Sequence, residues 1–164
     1  MRNPNFLFII TDQQRADYLG CMGHPLLKTP HIDSLAARGT RFDEFHTASP
    51  VCMPNRASLV TGRYPSVHGL RKNGLHLPHH NSTFVEALRL SGYHTALIGK
   101  SHLQPFSGRN IPQQNPADGA RIPDAHRESD VDWRNEEPER WNGKGEYYVE
   151  LPYYGFEHAD IVTK

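Results

Sequence analysis

Cys52 is the residue in this chain whose surroundings most directly invite chemistry. It lies in Pro50-Val51-Cys52-Met53-Pro54-Asn55-Arg56-Ala57-Ser58-Leu59-Val60-Thr61-Gly62, where residues 54–61 read as a short helix closed by Gly62. The thiol therefore sits at the N-terminal mouth of a helix, facing the positive end of its dipole, with Arg56 one turn further on. Both features favour an anionic sulfur or an anionic adduct. On this ground alone two readings stand side by side, a cysteine nucleophile and a small buried thiol. A second set of candidates follows two apolar runs: Asp12 and Gln13 come after residues 5–10, and Lys100 and His102 after residues 95–98. Taken singly, Asp12 is a turn residue, Lys100 a solvated charge and His102 a partly buried histidine. Their shared position, at the ends of strands, is what gives them weight.

That position rests on the elements around them. Residues 5–10 read as a buried strand, a continuous Phe, Leu and Ile run bounded by Pro4 and by Asp12-Gln13-Gln14. Thr29 is placed to cap a helix with Pro30 at its first position, where the missing N–H costs nothing, and Gly39 to end it. Ile32, Leu35 and Ala36 share one face of that helix, as packing on a sheet requires. Residues 40–46 alternate Phe42 and Phe45 with polar side chains imperfectly and read as a strand. Thr83 and Glu86 have the spacing of a capping box, starting a helix that runs to Gly92 with Phe84, Val85 and Leu88 inward. Residues 95–98 follow as another buried strand. This alternation predicts an α/β fold, a mixed, largely parallel sheet flanked by helices and incomplete in this chain. Chemistry in such sheets collects at the carboxyl ends of strands, so Asp12-Gln13 and Lys100-Ser101-His102 are expected on one edge.

Composition narrows the partners. The chain has 164 residues, 18 Lys+Arg against 18 Asp+Glu, and a hydrophobic fraction of 37%, enough for a single core. Balanced, interspersed charge argues against nucleic acid or an anionic membrane as the main partner. The longest apolar run, Phe6 to Ile10, is far short of the roughly 20 residues of a spanning helix. With Arg2 as the one charge in the first ten residues and no small-residue cleavage site, the start predicts a cytoplasmic protein. Cys21 and Cys52 carry no CxxC spacing. Beyond Gln104 the chain turns polar and rich in Pro and Gly. Residues 124–146 hold 8 acidic against 4 basic side chains and read as a solvated excursion, with a carboxylate metal site there the lesser reading. Pro152-Tyr153-Tyr154-Gly155-Phe156 returns to core-like composition, and a strand beginning at Ile161 is expected to be cut short. The chain thus divides into residues 1–103, 104–150 and 151–164.

The Cys-x-Pro-x-Arg pattern at Cys52, Pro54 and Arg56, followed by Thr61-Gly62-Arg63-Tyr64-Pro65 and His68-Gly69, resembles the sulfatases of the alkaline phosphatase superfamily. Leu19-Gly20-Cys21-Met22-Gly23-His24-Pro25, Thr29-Pro30-His31-Ile32-Asp33, Gly99-Lys100-Ser101-His102-Leu103 and Tyr154-Gly155-Phe156 extend the resemblance in order along the chain.

The resemblance implies that Cys52 is converted by a formylglycine-generating enzyme to formylglycine, whose hydrated aldehyde attacks sulfur and then expels sulfate through its second hydroxyl. It implies that Asp12, Gln13 and the residue at position 52 bind a divalent cation, Ca²⁺ first with Mn²⁺ as its competitor. Gln13 stands where many sulfatases have a second Asp. Arg56 would hold the diol, Lys100 would pair with a sulfate oxygen, and His102 would hydrogen-bond the diol or pass its proton. Met53 and Asn55 are bulkier than the residues usual at those places. Asn73 is a substrate-side candidate, although Lys72-Asn73-Gly74 is also an ordinary turn. His24, His31, His76, His79 and His80 lack the paired spacing of a zinc site and read as structural or surface residues.

The expected function is hydrolysis of a small-molecule sulfate ester. The remaining metal ligands are expected from a missing C-terminal part of the same protein, which leaves the isolated piece with little activity. Two rivals stand beside it: a phosphonate monoester or phosphodiester hydrolase of the same superfamily, and a non-catalytic interaction module.

Overall fold

A computed structural model describes residues 3–106, 136–137 and 149–162. They fall into two compact units that divide between Phe45 and His46.

In the unit up to Phe45 two 3₁₀ turns, Ala16–Tyr18 and Gly20–Met22, precede helix α1, Pro30–Arg38. The helix starts and stops where its punctuation says, with Pro30 in the first turn and Gly39 beyond the end. Thr29 does not cap by its side chain. Its hydroxyl accepts from the Gly20 N–H at 2.9 Å and donates to Asp33 at 2.7 Å, while the Cys21 N–H donates to the same carboxylate at 2.7 Å. Thr29 and Asp33, one turn apart on α1, thereby clamp the Gly20-Cys21 turn, and the Thr29 hydroxyl holds the Asp33 carboxyl below its ordinary range. The expected strands at 5–10 and 40–46 are not formed. Phe6, Leu7, Phe8 and Ile9 are exposed, as are Phe42 and Phe45, whose rings meet edge-on at 6.3 Å. A strand closes its hydrogen bonds on a neighbouring strand, and the sheet among the described residues pairs only residues 96–99 with 158–161. Ile32 and Leu35 are likewise exposed, so the apolar face of α1 is not buried among the described residues.

The unit from His46 onward holds the core. It contains α2, Cys52–Thr61; α3, Pro65–His68; α4, Phe84–Leu90; and strands β1, Ala96–Gly99, and β2, His158–Ile161. α2 begins two residues before the expected Pro54 and ends on Gly62, whose φ of 66° is the left-handed turn that glycine takes cheaply. At α4 the Thr83 hydroxyl accepts from the Glu86 N–H at 3.0 Å, half of a capping box. The Glu86 carboxylate turns instead to Arg89, at 2.7 and 2.9 Å. Val85 is buried, Leu88 half-buried, and Phe84 exposed rather than inward.

β1 and β2 pair in parallel, with Ala96 opposite His158 and Gly99 opposite Ile161. Ile161 therefore ends a strand instead of beginning one. β1 is one residue later than expected and not buried, Ile98 being 79% exposed. Met53, Ala57, Leu70, Leu75, Leu77, Leu103, Val149, Tyr153, Tyr154 and Ile161 form one cluster. Met53, bulky for its place in the motif, is thus a core side chain. Of the acidic stretch, Glu136 and Glu137 are buried, against the expectation of a solvated excursion, and most of the rest lies outside the described residues. No helix among the described residues is long and apolar enough to cross a membrane.

Candidate active site

Cys52 is the first residue of α2, preceded by Val51, which has no side-chain oxygen to cap the helix. The cap arrives from 20 residues further along. The Asn73 amide oxygen accepts from the Met53 N–H at 3.2 Å, taking up one of the orphan donors at the helix mouth. That bond fixes the amide's orientation beside Cys52, whose Sγ lies 3.3 Å from Nδ2 and 3.5 Å from Oδ1. One side chain thus both completes the helix and touches the candidate nucleophile. The Gly74 N–H reaches the Met53 sulfur at 3.2 Å, holding the turn against α2 from below. Cys52 is half-buried, and Cys21 and Cys52 are both free thiols.

Arg56, one turn along α2, donates from Nη1 to the main-chain oxygen of Lys100 at 2.7 Å. Through this bond the helix that carries Cys52 grips the loop that follows β1 and carries Lys100 and His102. Lys100 is half-buried and His102 buried. The His102 ring stacks on Phe106, centroids 3.9 Å apart and planes at 2°, and its backbone takes the left-handed φ of 55°.

Two features of this unit go beyond the sequence reading. His68, there only a member of the His68-Gly69 pair, is buried against α2, its Nε2 3.0 Å from the Ser58 hydroxyl and its Nδ1 accepting from the Leu70 N–H at 3.1 Å. With Nδ1 as acceptor, the neutral ring carries its hydrogen on Nε2. Burial pulls this imidazole below its ordinary value, so the neutral ring is the native one. Glu136 is the second. Its Oε2 accepts from the His102 N–H at 2.7 Å, and its Oε1 from the N–H groups of Leu103 and Gln104, each at 3.1 Å, and from the Tyr153 hydroxyl. Burial pushes the carboxyl up, the four donors oppose that shift, and burial beside this carboxylate drives the Tyr153 phenol well above its usual range. Val51 at an N-cap could have signalled that a cap must come from elsewhere. Nothing in the spacing of the acidic stretch singles out Glu136.

Asp12 and Gln13 belong to the other unit, where both are exposed and Gln13 has a left-handed φ of 51°. They offer only oxygen donors, which suits a hard divalent cation, but two side chains fall short of the six to eight oxygens that Ca²⁺ takes. Among the described residues no group of three His, Cys, Asp or Glu side chains could hold a metal ion, the scattered histidines included.

Comparison with known proteins points to one family. The family model "Sulfatase" matches residues 4–153. The "Ulvan-active sulfatase" of Formosa agariphila is 45% identical over 100 residues, 61% of this chain and 20% of that protein. "Arylsulfatase A" of Homo sapiens is 41% identical over 108 residues, covering 62% and 21%. Among solved structures, the "putative sulfatase yidJ" of Bacteroides fragilis aligns with a TM-score of 0.56 and 33% identity over 64% of this chain and 24% of its own. The chain spans about a fifth of the length of the curated relatives it matches.

Proposed function

The chain belongs to the sulfatase family, and from that premise we propose that the protein carrying it hydrolyses sulfate monoesters, with a formylglycine made from Cys52 by a formylglycine-generating enzyme. The observation that carries the reading is the junction of two motifs. Cys52 opens α2 beside the Asn73 amide, and Arg56 one turn away is bonded to the Lys100 main chain, so the two segments that bear the chemistry are held as one piece.

Formylglycine, when present, supplies what a thiol lacks, two hydroxyls on one carbon. A divalent cation held by Asp12, Gln13 and position 52, Ca²⁺ or in its place Mn²⁺, would supply positive charge for the sulfate oxygens. The remaining work falls to this chain's own side chains. The Asn73 Nδ2 donor orients the group at position 52 and lies on the substrate side. Arg56 adds fixed positive charge at the helix mouth, where an anion already meets the dipole. Lys100 pairs with a sulfate oxygen as a compact point charge. His102 moves the proton of the attacking or leaving oxygen through Nε2, its Nδ1 being shut from solvent. On this reading residues 1–103 carry the catalytic motifs, 104–150 are an excursion, 151–164 return to the core, and further ligands come from elsewhere in the protein.

The test is a peptide mass across Cys52 in full-length protein co-expressed with the maturation enzyme, followed by turnover of an aryl sulfate against an aryl phosphonate. The expected result is an aldehyde at position 52 and faster turnover of the sulfate. Faster turnover of the phosphonate would favour the related diester and phosphonate chemistry, to which Gln13 in place of a carboxylate points. An intact thiol under these conditions would make the protein a non-catalytic relative.

A further inference from the structure

Three consecutive main-chain N–H groups, those of His102, Leu103 and Gln104, converge on the carboxylate of Glu136 at 2.7, 3.1 and 3.1 Å. Successive N–H groups turned to one point make an anion-binding concavity, and here the anion is a side chain of the same protein. Glu136 is fully buried, and the hydroxyl of the equally buried Tyr153 closes the remaining side of Oε1. Beyond it the loop is held from its other face, where the Leu103 carbonyl accepts from the Leu77 N–H at 2.8 Å. His102 meanwhile sits in a left-handed backbone conformation that a residue with a Cβ adopts only under restraint. Without the carboxylate the loop would bury several N–H groups with no acceptor, and the backbone would turn to satisfy them. Such a turn would carry the His102 ring with it.

Resting on the sulfatase reading above, we propose that Glu136 is a positioning residue for that reaction: its carboxylate locks the 102–104 main chain so that the His102 imidazole is presented at one fixed place. Glu136 touches no reacting atom. It acts through His102, and Tyr153 holds Glu136 in turn. Burial pushes the Glu136 carboxyl up, and its four donors oppose that shift without cancelling it.

The experiment uses full-length, matured enzyme and an aryl sulfate. Glu136→Gln keeps the side chain's shape but replaces one acceptor oxygen by an NH₂ that faces N–H donors. The expected result is a fall in kcat of roughly 10- to 100-fold, KM changed by less than about 2-fold, and unchanged formylglycine content by peptide mass. Tyr153→Phe, which removes one donor and keeps the ring in the core, should lower kcat in the same direction by a smaller factor, so the proposal remains testable if Glu136→Gln does not fold. The decisive arm repeats both changes in a His102→Ala background, where each should lose most of its effect because the residue through which it acts is gone. Undiminished effects in that background, or kcat unchanged in folded single variants, would overturn the positioning role while wild-type turnover leaves the sulfatase reading standing. No turnover by the wild type would instead sink the sulfatase reading, and this role with it.

Discussion

The two units solve the same problem, holding polar side chains in place, by different means. Among the described residues up to Phe45 not one is buried, and their order comes from local hydrogen bonds such as the Thr29–Asp33 clamp on Gly20 and Cys21. From His46 onward the polar residues of the candidate site are tied to a closed apolar cluster, as Cys52 is through Met53, and His102 through Leu103. The difference teaches which of the candidate residues are held by a core. The segment that would bind and attack sulfate is built on a core, whereas the Asp12-Gln13 pair rests on an exposed bend. Asp12 and Gln13 offer oxygen donors on a bend that their own unit leaves exposed.

That contrast can be broken or sharpened by experiments ordered along one free-energy scale. Cys52→Ala in the full-length matured enzyme should abolish aryl sulfate turnover by about a thousandfold or more, ~4 kcal/mol, without lowering the melting temperature. Residual activity within tenfold of wild type would remove Cys52 from the chemistry. Gly155→Ala should cost about 3 kcal/mol of stability in denaturant unfolding, because the new Cβ would come 2.5 Å from the Glu86 backbone nitrogen at a φ of +95°. A near-neutral result would show that the turn before β2 is not packed on α4 as described.

Asn73→Ala should destabilise by about 1 kcal/mol as a lost helix cap and also lower kcat. Adding Val51→Ser to supply a local cap should recover the stability and leave the kcat loss in place. Recovery of both would reduce Asn73 to a capping residue. His68 sets a smaller, pH-dependent effect. Its native pKa lies below the ordinary imidazole value of about 6.5, so the unfolded chain binds the extra proton first as pH falls. Stability from this group is fully present above about pH 6.5 and is lost as pH drops through the native value. His68→Gln should flatten the acid limb of a melting-temperature profile, and an unchanged limb would assign it to other groups. Asp12→Ala should shift stability by less than about 0.5 kcal/mol while raising the Ca²⁺ concentration needed for turnover. A large loss of stability would mean the bend is less exposed in the whole protein than in this unit.

The helices were legible because a helix closes its own hydrogen bonds and its punctuation is local: Pro30 and Gly39 bound α1, Gly62 ends α2, and Thr83 caps α4. Strands depend on partners far along the chain. The apolar run at 95–98 places β1 within one residue, whereas its mate, His158–Ile161, shows in the sequence only as a strand starting at Ile161. The runs at 5–10 and 40–46 carry the right composition but, among the described residues, no ladder. In the site, residue types at fixed spacing revealed Cys52, Arg56, Lys100 and His102 as candidates, and the Arg56–Lys100 bond now ties two of those motifs together. Asn73 was visible as a candidate but not as a cap. Glu136 was hidden by its neighbourhood, since eight carboxylates in one stretch describe a solvated surface and the three N–H groups that bury this one lie more than thirty residues upstream.

The separations along the chain also order the events of synthesis. Bonds that shape the mouth of α2 span 10 residues from Ser58 to His68 and 21 from Cys52 to Asn73. Bonds that fasten Tyr154 to the rest of the unit reach 71 residues from Thr83 and 77 from Leu77. Closing the longer loops costs roughly 1 kcal/mol more in chain entropy, and they cannot close at all until Tyr154 has left the ribosome. At ~5–20 residues per second, about eighty residues of translation amount to roughly 4–16 s. For that interval the nascent chain has what it needs to cap α2 beside Cys52 but lacks Tyr154, whose bonds fasten Thr83 and Leu77.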